Sequence, residues 1–168
     1  HDEMASSIMI TTSEKVAVET EKEVYRFLKE LEREKIARKS IEERGAIIIA
    51  KDMNEAIELM NKIAPEHLEI VTINPFELLP KIKNAGAIFL GENTPEPIGD
   101  YIAGPNHTLP TGGSAKFYSP LNVEVFMKKS SIISFSKDAI LDMGEDCALL
   151  AETEMLTAHQ KSVLERLK

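Results

Sequence analysis

Four short apolar blocks punctuate the chain, and the segments between them carry helical periodicity. Over residues 14–44, Val24, Phe27, Leu28 and Leu31 fall at i, i+3, i+4 and i+7, the spacing of one helix face, with Ser13 placed to cap its start and Gly45 to stop it. "AIIIA" (46–50) is a continuous apolar run of the kind a buried parallel strand shows. Asp52 can cap the next helix, "MNEAIELMNKI", whose Met53, Ile57 and Met60 share a face. "HLEIVT" (67–72) reads as a second strand, Asn74–Pro75 as the start of a third helix that Pro80 shortens, and "AGAIFLG" (85–91) as a third strand.

Strand alternating with helix implies an α/β fold, here a partial Rossmann-like parallel sheet flanked by helices. After the stiff loop "GDYIAGPNHTLPTGG" (99–113), "SPLNVEVFMKK" (119–129) is expected to be a helix capped by Ser119, and "SIISF" (131–135) a further strand. Residues 136–168 are helical in pattern, with breaks expected near Gly144 and near Met155–Thr157. The organisation expected is an α/β domain over 1–120 and a mainly helical C-terminal segment over 121–168.

Composition narrows the function. Among 168 residues, 28 acids against 20 bases leave a net charge of −8, so a nucleic-acid or anionic-membrane surface is not expected. No apolar run reaches the roughly 20 residues that span a bilayer. The single cysteine, Cys147, rules out an internal disulfide framework and suits a reducing cytoplasm. Its helix-like context suggests a buried small apolar residue rather than a nucleophile.

The chain has neither a GxGxxG nor a phosphate-binding loop, and no HExxH. Its four histidines, His1, His67, His107 and His159, are the informative feature. Glu66 and His67 are adjacent after Pro65, and such a pair suits general acid–base work as well as a plain surface turn. Asp100 and His107 share a loop stiffened by glycine and proline, either as metal or substrate groups or as parts of an ordered turn. On local sequence His159 reads as a solvated helical residue rather than a ligand, and His1, with no context before it, reads as a ligand or a tag remnant.

Taken together, "HDEMASS", "APEHLEI", "GAIFLGENTPEPIGDYIAGPNHTLPTGGSAKFYSPL" and "ETEMLTAHQKSVLERL" resemble histidinol dehydrogenase, in that family's order and at about its spacing. The resemblance covers essentially the whole chain but only the C-terminal portion of the family. It implies oxidation of L-histidinol to L-histidine through a bound aldehyde, with one Zn²⁺ per subunit and NAD, in a homodimer whose active site lies at the subunit interface. By the same resemblance, His1, Asp100 and His159 are zinc ligands and Glu66 and His67 the acid–base pair. His67, Asp100, His107, Glu154 and His159 contact substrate. The NAD site is expected upstream of this chain, which alone is expected to be inactive. Two positions depart from the pattern: Lys116 stands in place of Arg, and Met155 in place of Gly in the turn after Glu154. Two other readings compete. One is a non-catalytic α/β module that binds a metal or small ligand. The other is a zinc hydrolase built on Asp100, His107 and His67.

Overall fold

A computed structural model describes residues 2–168, and His1 lies outside the described residues. The chain forms two compact units that divide between Phe126 and Met127. The first is mixed α/β, with two small parallel sheets and flanking helices; the second is helical.

The first sheet pairs β1 (Ile8–Thr11) with β2 (Ala46–Ile49), in register Ile8↔Ala46 through Thr11↔Ile49. The sequence reading has no counterpart of β1, a four-residue strand bracketed by Ser and Thr. β2 is where the apolar run places it but is not fully buried: Ile47 and Ile49 are exposed on one side. The long helix expected over 14–44 is two helices, α1 (Glu14–Leu28) and α2 (Glu34–Arg44). Ser13 caps α1 as expected, its hydroxyl accepting from the Val16 N–H at 3.3 Å. No Gly or Pro marks the break at 29–33. The turn there lets Ala37 and Ile41 of α2 line a shared apolar groove with Val24 and Leu28 of α1. Tertiary contact between apolar stripes outweighs the continuous helix that local propensity favours.

The second sheet pairs β3 (His67–Ile70) with β4 (Ala87–Leu90), also parallel, with His67 opposite Ala87 and Glu69 opposite Phe89. Between β2 and β3 runs α3 (Met53–Ile63), capped by the Asp52 carboxylate on the Glu55 N–H at 2.9 Å. Ile57 and Met60 are buried, and Met53 is not. The segment from Pro75 to Lys81 is 3-10 rather than α-helical; Pro80 has no N–H to give to an α ladder.

Two expected elements do not form. Of the helix expected over 119–129, only a 3-10 turn at Val123–Phe126 exists, and Asn122 rather than Ser119 caps it. Val123, Val125 and Phe126 are all exposed, so no burial supports a longer helix. "SIISF" has no partner strand among the described residues, and Ile132 is 95% exposed. A lone extended segment cannot pair its backbone groups.

In the second unit α5 (Lys137–Thr153) packs on α6 (Thr157–Leu164) and the residues just after it. α5 runs unbroken through Gly144, contrary to expectation. A side chain there would collide with Leu167, so the glycine serves close packing rather than a bend. Cys147 is exposed, not buried; the buried positions of this helix are Gly144 and Ala148.

The break at Met155 is present, and its geometry is specific. The Met155 N–H reaches the Glu152 carbonyl and the Leu156 N–H reaches the Ala151 carbonyl, each at 2.8 Å. This is the Schellman closure, and it needs a left-handed residue at Met155, whose φ is +60°. A β-carbon strains that conformation, so Met155→Gly should raise the unfolding free energy by about 1 kcal/mol. Denaturant unfolding checks this against Met155→Ala, which keeps the β-carbon and should not gain; equal effects would refute it.

Candidate functional site

The path into the site starts at the end of α3. Ala64, fully buried at 0% exposure, takes a left-handed conformation with φ +53° and turns the chain toward Pro65. The Pro65 carbonyl accepts the Gly86 N–H at 3.0 Å and the Glu66 carbonyl the Ala87 N–H at 2.8 Å. Glu66 is therefore fixed by its backbone to the start of β4, and His67 opens β3.

Asp100 does not lie in a loop. Residues Glu96–Tyr101 form a short helix, α4, with Pro95 before it and Pro97 in its first turn. The loop proper begins after that helix. Glu96 and Asp100, four residues apart, share one helical face. Gly99 sits against the ring of the buried Phe89: a β-carbon there would lie 2.6 Å from Phe89 Cε1 and 2.7 Å from Cζ. Phe89 in turn carries the His67 ring, with centroids 5.9 Å apart. In a parallel pair, register partners point to the same face, so His67, Glu69 and Phe89 all face α4.

This packing brings three ionisable groups together. His67 Nε2 stands 3.6 Å from Glu96 Oε1 and 3.7 Å from Asp100 Oδ1, with the side chains 26, 35 and 27% exposed. Those distances are too long for hydrogen bonds. Nε2 is nonetheless shut off from solvent, with no hydrogen-bond partner among the described residues. A buried, orphaned imidazole nitrogen facing two carboxylates is the arrangement of a ligand or proton-transfer site. One ligand atom from each of the three lies within 4.8 Å of the others, the only such group of three or more among the described residues. Imidazole with carboxylates fits a divalent cation such as zinc. Burial, and then the hydrogen bond to Asp100, push the Glu96 carboxyl above its usual range, against the opposing pull of His67.

Of the site residues expected from the sequence, the structure brings His67 and Asp100 together. Glu66 is half-buried beside them, with no hydrogen bond or ion pair from its side chain among the described residues. His107 is exposed, outside the cluster, so a hydrolytic centre on Asp100, His107 and His67 has no support in this placement. Glu154 ends α5 and His159 lies in the first turn of α6, both exposed in the second unit. The expected ligand His1 falls outside the described residues. Glu96 was not among the expected residues. Its signal was present: "PEP" before Asp100 is a helix start, and i, i+4 spacing follows from it.

Two outcomes test this geometry. Gly99→Ala has no room over Phe89 and should destabilise the first unit by about 1–3 kcal/mol, measured by denaturant unfolding; an unchanged midpoint would contradict the close approach. Glu96 holds its proton more tightly folded than unfolded. Its contribution to stability is therefore full below the ordinary carboxyl range and lost as pH rises through its raised pKa. With metal removed by chelator, the unfolding midpoint should fall with pH across that window, and Glu96→Gln should flatten the fall; an identical slope in the variant counts against it.

The family model for histidinol dehydrogenase matches residues 1–167. The chain is 68% identical over 167 residues to the histidinol dehydrogenase of Sulfurimonas denitrificans, covering 99% of this chain and 39% of that protein. It is 67% identical to that of Wolinella succinogenes, with the same coverage. A crystal structure of histidinol dehydrogenase from Elizabethkingia anophelis superposes with a TM-score of 0.85 at 35% identity, covering 99% of this chain and 38% of that one. The chain thus spans about 39% of the length of the curated relatives it matches. A family match from residue 1 to 167, two relatives above 65% identity and a shared fold agree: the chain belongs to the histidinol dehydrogenase family.

Proposed function

We propose that this chain supplies the acid–base and metal-binding part of a histidinol dehydrogenase, which oxidises L-histidinol to L-histidine through a bound aldehyde. The observation that carries the reading is the orphaned His67 Nε2, buried beside Asp100 on a chain of this family. Asp100, with His159 and His1, would hold zinc. Glu66 and His67 form the acid–base pair, and His107 and Glu154 contact the substrate. The enzyme works as a cytoplasmic homodimer with its site at the subunit interface, and NAD binds outside these residues.

The group held by Asp100, His159 and His1 would supply a Lewis acid for substrate orientation, and a bound NAD would supply a hydride acceptor. The residues of this chain do the rest. His67 Nε2 has no competing hydrogen bond among the described residues, so it is free to take the alcohol proton. Glu66 activates the water that attacks the aldehyde, with His67 assisting. The Phe89 ring packs near the imidazole, with centroids 5.9 Å apart. Cys147, exposed on the helical unit, takes no part.

The test is NADH formation by the full-length protein with L-histidinol. The wild type should release two NADH per histidinol. His67→Asn should lower kcat by about 10²–10⁴-fold with zinc content unchanged, and Cys147→Ser should leave turnover intact. Full turnover in His67→Asn, or none in the wild type, would refute the proposal.

A further inference from the structure

α4 carries Asp100 and Glu96 to His67, yet it is poorly equipped to hold itself. It has six residues, far below the length at which a helix is stable alone. The residue at its N-cap position is Pro95, and no side chain of its own segment caps it. The acceptor comes from elsewhere. Glu69, on β3, accepts the Glu96 N–H on Oε1 at 2.7 Å, across 27 residues of sequence. Among the described residues this is the one hydrogen bond from β3 to α4. Glu69 lies two residues beyond His67 on the same strand face, opposite the Phe89 on which Gly99 rests.

We propose that Glu69 is a positioning residue: its carboxylate caps α4 from the neighbouring strand and thereby sets Asp100 and Glu96 over His67. Two contacts define the helix's seat. Glu69 fixes its start and Phe89 supports Gly99 in its last turn, and the i, i+4 pair Glu96 and Asp100 faces the imidazole. Without the Glu69 acceptor, the Glu96 N–H, beside a proline, has no hydrogen-bond partner among the described residues. The consequence for metal binding rests on the function proposed above, in which Asp100 is a zinc ligand; the contact itself does not. Groups that orient ligands by hydrogen bonding typically contribute about 10–100-fold to metal affinity.

The experiment compares Glu69→Ala, Glu69→Gln and Glu69→Asp in the full-length protein, with hydrogen–deuterium exchange over residues 94–101 and zinc retention against a chelator. Glu69→Ala should exchange the Glu96 amide faster by about tenfold or more and hold zinc about tenfold more weakly. Glu69→Gln keeps an acceptor oxygen at the same reach and should stay near wild type in both. Glu69→Asp keeps the charge but is one methylene short, and should resemble Glu69→Ala. If Glu69→Ala does not fold, the order of Gln and Asp decides: Asp must exchange faster than Gln. Unchanged exchange in Glu69→Ala, or Gln no better than Asp, would overturn the inference. A wild type that binds no zinc, with Glu69→Ala still exchanging fast, leaves the strap standing and removes the histidinol dehydrogenase reading instead.

Discussion

The site depends on one close approach, α4 lying on the β3–β4 face through Gly99 and Phe89. Neither partner is stable by itself. A two-stranded ladder is marginal without something packed on it, and six helical residues do not pay for their own ordering. Together they bury Phe89 to 6% exposure and fix the helix within van der Waals reach of a strand side chain. Strand alternation then does the rest: His67 and Glu69 are on the covered face, so the helix that shields Phe89 also faces the imidazole. Chemistry and packing are the same contact.

The electrostatics of that face are unfavourable as they stand. Burial, and then the neighbouring Asp100 and Glu69, raise the Glu96 pKa against the opposing pull of His67. Like charges gathered this closely cost free energy unless a proton or a cation lies among them. A proton on Glu96, which its raised pKa favours, would relieve one charge. A divalent cation beside Asp100 would relieve more, because it would offset the carboxylate charge. The arrangement is not a stabilising polar network, since a network would have satisfied His67 Nε2.

Periodicity and capping made much of the first unit legible. The strands at 46, 67 and 87, the Ser13 and Asp52 caps and the break at Met155 all follow from local chemistry. The misses share a cause: each turned on a distant partner. β1 exists because β2 is there to pair with it, and "SIISF" fails as a strand because nothing pairs with it. α1 and α2 separate without a breaker because α2 has apolar residues to lay against α1. Gly144 packs where sequence suggested a bend. At the site, composition singled out His67 and Asp100 but not Glu96 or Glu69, whose meaning depends on α4 folding back over β3. Lys116, the second departure from the family pattern, is exposed at the end of a 3-10 turn, and nothing in the structure explains it.

That distinction also explains why two stretches identify the chain so specifically. "APEHLEI" and the "TPEPIGD" within the longer motif are separated in sequence and meet in space. Each contributes a reactive group, His67 or Asp100, and each contributes half of a contact that holds the two together, Glu69 or the Glu96 N–H. A chain could carry His67 and Asp100 by chance; it is far less apt to carry them along with a proline at the cap position, an acceptor two residues past the histidine and a glycine beside the aspartate. The motif is specific because it encodes a docking geometry as well as its reactive ends. Of the reactive residues the family resemblance names, His67 and Asp100 are the two that this packing seats together.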